Sequence, residues 1–209
     1  MYLPAHFEIT DDALLHGLIR SHSLGTWACA PAGELVVNHI PFLIDTTRGP
    51  HGTLVGHVAR ANPLWQHLAD SIVVFQGPQA YISPSWYPSK HADGKAVPTW
   101  NYAVVHAHGR PRAIEDKAEL LQIVSRLTQT HEAKQALPWS VSDAPSDYIA
   151  KMLGAIVGIE MPIERLVGKW KVSQNRPEAD RLGTAAGLIG RGEPDGIAMA
   201  NLVHEPGTR

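Results

Sequence analysis

Short apolar runs dominate the first half of the chain. "LGTWACA", "ELVVNHIPFLID", "GTLVGHVA" and "SIVVFQGPQAYIS" are rich in β-branched and aromatic residues, and turn formers such as "PAGE" and "TTRGPH" separate them. Residues of this kind suit a pleated, half-buried surface, and the hairpin-sized spacing predicts antiparallel strands. "TWNYAVVHAHGRPRAI" and "VGIEMPIERLVGKWKVS" read as two further strands.

A different period marks the helices. In "ITDDALLHGLIRSH", Leu14, Leu15, Leu18 and Ile19 share one face, Asp11 and Asp12 lie in the first turn, and Thr10 is the expected N-cap. "DKAELLQIVSRLTQTHEAK" repeats the pattern through Leu120, Ile123, Val124 and Leu127, and "SDYIAKMLGAI" predicts another helix. "ANPLWQHLAD" reads as a short helix capped by Asn62, with Pro63 tolerated in its first turn. A last helical region begins at "PEADRLGTAAGLIG". Five or six antiparallel strands with helices inserted among them predict an α+β, mainly antiparallel fold. Closure into a small barrel would remove the exposed strand edges.

Composition narrows the class. The 209 residues are 44% hydrophobic, enough for one good-sized core, so residues 1–209 are expected to form a single domain with a helical extension from about residue 175. A formal net charge of -2 lacks the basic excess of a chain that grips nucleic acid through phosphates. Cys29 is the only cysteine and cannot form an internal disulfide. The start "MYLPAHFEI" lacks the basic and apolar regions of a signal peptide, and no apolar run approaches bilayer-spanning length. A soluble, cytoplasmic protein without membrane partners is the expectation.

Common catalytic motifs are absent: the chain has no G-x-G-x-x-G, P-loop, G-x-S-x-G or H-E-x-x-H. What remains is a set of polar and aromatic clusters at strand ends. In "GHVARANPLW", Arg60 and the amides near Asn62 lie where a strand gives way to a helix N-terminus, a place suited to a phosphate. The same stretch reads equally as Arg60 paired with a surface carboxylate and Asn62 capping its helix. "GKWKVSQNR" gathers Lys169, Lys171 and Arg176 with Ser173, Gln174 and Asn175, a set suited to an anionic, hydrogen-bonding small molecule. His106 and His108 share a strand face, but a metal needs a third ligand that the sequence does not supply, and no metal site is expected. Cys29, within an apolar strand, reads as a buried inert thiol.

Together "MYLPAHF", "NHIPFLID", "GHVARANPLW", "FQGPQAYISPSWY", "VPTWNYAVVHAHG" and "GKWKVSQNRPEADRLG" resemble the signature segments of the FMN-binding negative transcriptional regulators, the PaiB-type family. The resemblance runs through nearly the whole chain. It implies a split β-barrel like that of the pyridoxamine-phosphate oxidases, with peripheral helices, a homodimer, and FMN held between subunits. Carried onto this sequence, it implies a phosphate grip at Arg60 and Asn62 with His57 behind them, and Asn38 and His39 on a strand under the flavin. Trp100, Asn101, Trp170, Lys171 and Ser173 are the implied rim. Gln79 stands where the family more often has His, and His108 where an aromatic is common, so no histidine mechanism is carried over at the first position.

The segment "SPSWYPSK" then has two readings: Trp86 and Tyr87 lie against the flavin or a partner subunit, or they plug the end of the barrel. The functional expectation is an FMN-dependent or indirect regulator of transcription, since no basic recognition helix supports direct DNA binding. A flavin-linked oxidoreductase acting on a small molecule is the alternative. Haem binding or breakdown through His39, His57 or His106 is a third.

Overall fold

The structure is a computed structural model that describes residues 1–90 and 94–205, so the last four residues of the expected C-terminal extension lie outside it. Its strands are β1 (Glu8–Ile9), β2 (Leu24–Cys29), β3 (Val36–Pro41), β4 (Leu43–Asp45), β5 (Thr53–Ala59), β6 (Ser71–Ile82), β7 (Thr99–Gly109), β8 (Arg112–Ile114), β9 (Ile156–Pro162) and β10 (Arg165–Lys171). The helices are α1 (Asp12–Ser21), α2 (Lys117–Glu132), α3 (Ser146–Gly154), α4 (Glu178–Arg191) and α5 (Pro194–His204).

Three apolar runs that read as single strands are each broken in two. "ELVVNHIPFLID" divides at Phe42, whose side chain is buried, into β3 and β4 of different sheets. "TWNYAVVHAHGRPRAI" divides at Arg110 and Pro111, where proline removes a ladder donor. "VGIEMPIERLVGKWKVS" divides at Ile163 and Glu164. The cap of α1 is also corrected: Asp11, not Thr10, accepts from the Ala13 amide through Oδ1 at 2.8 Å.

Contacts divide the chain into two compact units. The first holds Met1–Ser21, Gln76–Val105 and the chain from Val167 onward, with strand order β1-β10-β7-β6. There α1 buries Leu15, Leu18 and Ile19, the stripe its periodicity predicts, and His16 beside them. Gly168 of β10 makes this approach possible, because a Cβ there would meet Leu15 at 2.1 Å. The second unit, His22–Phe75 and His106–Leu166, carries the orders β6-β2-β3 and β4-β5-β9-β8. The β2–β3, β2–β6 and β5–β9 pairs are antiparallel, with Thr26 opposite His39 and Val74, and His57 opposite Gly158.

In the second unit α2 lays Ile123 and Leu127 on Val55 and Ile114, with Leu43 packed alongside. Each such side chain contributes about 1.5–3 kcal/mol when fully buried. Trp27 of β2 is fully buried, and its polar end is satisfied by donation from Nε1 to Ser71 Oγ at 2.9 Å. Among the described residues no helix is long and apolar enough to cross a membrane.

Candidate functional site

The second unit carries a cleft of about 780 Å³. Its apolar walls come from Pro31, Val36, Leu64 and Leu68, and its polar contribution includes Asn38 and Asn62. The pair is built locally. Asn62 follows β5, and its Oδ1 accepts from the Leu64 amide at 3.0 Å, capping the 3-10 turn Pro63–Gln66. Its Nδ2 then donates to Asn38 Oδ1 at 2.9 Å, fixing the orientation of both amides. Among the described residues the Asn38 NH2 group has no acceptor, so it remains a donor for a ligand.

Arg60 is placed differently. Its Nε donates to the Gly154 carbonyl at 3.0 Å, Nη1 to Glu115 at 2.7 Å and Nη2 to the Ile156 carbonyl at 3.2 Å. The guanidinium also stands 5.5 Å from the Trp65 ring centre, and Trp65 Nε1 donates to the Arg60 carbonyl. These are the partners of the simpler reading: a surface carboxylate for Arg60 and a capping role for Asn62. Arg60 does not line the cleft.

His39 is exposed on β3, on the face opposite Asn38. His57 lies half-buried in a separate recess of about 330 Å³ with Leu127, His131, Glu132 and Trp139. Its Nδ1 is buried without a hydrogen-bond partner, and burial lowers its pKa, so the neutral ring is favoured. His106 is lowered to about 4, by burial first and by His108 next. His108 Nδ1 lies 3.0 Å from Arg165, which leaves that nitrogen no room for a metal. Among the described residues no group of three or more His, Cys, Asp or Glu is arranged to hold one.

The expected rim residues come together in the first unit. Asn101 Nδ2 donates to Ser173 Oγ at 2.9 Å, and both residues are buried. Ser173 adopts a φ of 65°, a conformation rare for a residue with a Cβ. Lys171 donates to Thr99 Oγ1 and to the Trp100 carbonyl. Its pKa is lowered, mainly by burial and then by Lys169 and Arg176. Trp170 is buried, whereas Trp100 is 49% exposed and donates from Nε1 to Gln79 Oε1 at 3.1 Å. Tyr81 meets the Trp100 ring edge-on at 6.2 Å.

The segment after β6 is seated on helix α4 of this chain. Ser83 caps the turn Pro84–Trp86 by accepting from the Ser85 amide. Trp86 packs onto Gly183 and Gly187 of α4, with the Arg191 guanidinium 5.1 Å from its ring. Tyr87 is buried under Arg176, 4.9 Å away, and Ser89 donates from its amide and hydroxyl to Asp180. Sequence reasoning missed this seat. The signal was the pair of glycines four apart on one face of α4.

It also missed buried Glu160 on β9, which accepts from Arg48 at 2.7 Å and Arg112 at 2.9 Å. Burial works to raise this carboxyl, and the two arginines outweigh it, so its pKa lies below the ordinary value.

The cleft fits a flavin in kind and size. Its volume lies inside the roughly 300–1,000 Å³ typical of small-molecule sites, and apolar walls with two fixed amides, beside Glu34 and His67, suit a flat ring bearing carbonyl and imide groups. The arginine nearest in sequence, Arg60, holds Glu115 through an ion pair in which both partners are substantially exposed. Such pairs contribute only about 0–1 kcal/mol, so an incoming phosphate can replace the carboxylate at little cost.

Comparison with known proteins agrees with these features. Residues 1–165 match the sequence profile of the family described as "Putative FMN-binding domain". The chain is 30% identical over 208 residues to "Protease synthase and sporulation protein PAI 2" of Bacillus subtilis, covering 98% of this chain and 97% of that protein. It is 35% identical over 245 residues to the uncharacterized protein AN0679 of Emericella nidulans, covering 99% and 98% respectively. Among solved structures, the FAD and heme binding protein from Mycobacterium smegmatis superposes with a TM-score of 0.59 at 17% identity, covering 86% of this chain and 80% of that one. That likeness bears on the fold, which is the mainly antiparallel α+β split barrel. The chain belongs to the PaiB-type FMN-binding family, and its cofactor is FMN.

Proposed function

We propose that this protein is a homodimeric, single-domain flavin-binding regulator of the PaiB type, with the FMN ring in the cleft beneath the Asn38–Asn62 pair. The observation that carries the reading is that pair: two mutually oriented amides beside apolar walls, with the Asn38 NH2 group unspent. FMN, when bound, supplies one- or two-electron redox chemistry. Asn38 donates to a ring carbonyl, Asn62 holds Asn38 in that orientation, and Val36, Leu64 and Leu68 exclude water from the ring. Arg60, which lies outside the cleft lining, would hold the phosphate in place of Glu115. The alternating exposed residues of β3, with Leu35 72% exposed just before it and Val37 on it, provide the apolar edge for the second copy.

Regulation proceeds through a partner molecule rather than through a held operator, because the net charge of -2 gives no electrostatic footprint for DNA. The test is a titration of FMN and riboflavin into site variants. Asn38→Ala weakens both flavins about threefold to tenfold, the scale of one neutral hydrogen bond. Arg60→Ala weakens FMN about fivefold or more and leaves riboflavin alone, as loss of a charge-assisted contact to phosphate requires. Equal affinities in wild type and Asn38→Ala would remove the ring from this cleft.

A further inference from the structure

Helix α2 buries one apolar stripe and turns a second, mixed face toward a groove. Leu120, Ile123 and Leu127 face the core. Ala118, Leu121, Ser125 and Thr128 run along a different face and form one wall of a groove of about 760 Å³. The opposite wall is α3 with the preceding turn, through Val141, Ile149, Ala150 and Leu153. Leu121 on one wall and Ile149 and Leu153 on the other supply its larger apolar side chains. Leu121 is left 39% exposed. Such a groove in an otherwise well-packed unit is a ligand-sized space.

The lining says what kind of ligand. Among the described residues Lys117 is the only charged one that borders the groove. Its neighbour Asp116 is spent on capping α2, accepting from the Ala118 and Glu119 amides at 2.9 Å each. Among the described residues Lys117 makes no ion pair, although a cation at a helix N-terminus is electrostatically disfavoured and gains nothing for the fold there. Walls that present Leu121, Val141, Ile149 and Leu153 between uncharged hydroxyl residues, with one cation beside them, complement an apolar body with one anionic head. We infer that the α2–α3 groove is a binding site for an amphipathic monocarboxylate, its chain between Leu121 and Ile149 and its carboxylate at Lys117.

This inference does not depend on the flavin site. Decanoate, with decanol as the uncharged control, is titrated calorimetrically into the full chain. Saturable one-to-one binding with a negative heat-capacity change is expected, because apolar surface is buried. Ala150→Trp fills the groove and abolishes binding. Leu121→Glu, at an exposed position that tolerates charge, does the same and guards against misfolding of the first variant. Lys117→Gln weakens decanoate about threefold to fivefold, the scale of an exposed ion pair, and leaves decanol unchanged. FMN affinity stays at its wild-type value in all three. No saturable decanoate binding, or binding indifferent to both groove-blocking variants, overturns the inference. So does a Lys117→Gln variant that binds decanoate as wild type does. Sedimentation decides the remaining possibility: if Ala150→Trp dissociates a dimer and decanoate does not bind, the groove seats a second copy and the inference fails.

Discussion

Substituting alanine for glycine inside a helix ordinarily stabilises it by about 1 kcal/mol. Gly187→Ala in α4 is predicted to do the reverse. A Cβ built at Gly187 would lie 2.3 Å from Trp86 Cδ2 and 2.5 Å from two further ring atoms. No real contact is so short, so the indole must leave its seat or the helix must shift. Overpacking of this kind costs about 1–3 kcal/mol, and abrupt loss of the Trp86 contact pushes toward the upper end. Set against the propensity gain, the net destabilisation is about 1–2 kcal/mol, a fall in Tm of roughly 2–8 °C for a chain of this size. Gly183→Ala should be worse, because its Cβ would meet the Trp86 carbonyl oxygen at 2.1 Å, and backbone yields less readily than a side chain. Gly17→Ala is the control: it sits within α1 with nothing within 4 Å of the added methyl, and should stabilise by about 0.5–1 kcal/mol. Urea unfolding followed by far-UV circular dichroism gives all three values. A Gly187→Ala protein as stable as wild type would refute the seating of Trp86 on α4.

Arg60→Ala should lower Tm even without flavin, since it removes three hydrogen bonds, of which the one to the Ile156 carbonyl is partly buried; about 1 kcal/mol in chemical denaturation is expected, and no change would mean that these bonds are not formed in solution. For Glu160, the folded-state pKa lies below the ordinary value, so its contribution is present above that ordinary value and is lost as pH falls through the folded pKa. Glu160→Gln should therefore destabilise at pH 7 by about 1–3 kcal/mol and flatten the acid limb of the Tm profile below roughly pH 4.5; an acid limb of unchanged steepness would remove Glu160 from it. Asn101→Ala should cost about 1–3 kcal/mol through loss of the buried bond to Ser173, and Asn101→Asp more, unless the new carboxyl stays protonated; equilibrium unfolding at pH 5 and pH 8 separates those cases.

Local chemistry was legible in the sequence wherever it acted over a few residues. The stripe Leu120, Ile123 and Leu127 is set by a 3.6-residue period, and Asn62 bonds an amide only two residues ahead. Strand breaks were not legible, because β3 and β4 or β9 and β10 form continuous apolar runs whose division is decided by which sheet each half joins. Arg60 shows the limit most clearly. Its side-chain partners lie 55, 94 and 96 residues away, and no local pattern distinguishes a guanidinium bound for those carbonyls from one bound for phosphate. The rim set fared in between: only the family resemblance, and no local pattern, pointed to Asn101 and Ser173 together, and the fold joins them by a buried hydrogen bond, whereas the seating of Trp86 on Gly187 spans about a hundred residues of sequence and needed the fold.

The most direct test of the central claim is a titration of FMN into dialysed protein, following quenching of flavin fluorescence, with riboflavin as the ligand lacking phosphate. The account predicts micromolar or tighter FMN binding, on the order of -8 kcal/mol or better, and distinctly weaker riboflavin binding. Failure of both flavins to bind would contradict it.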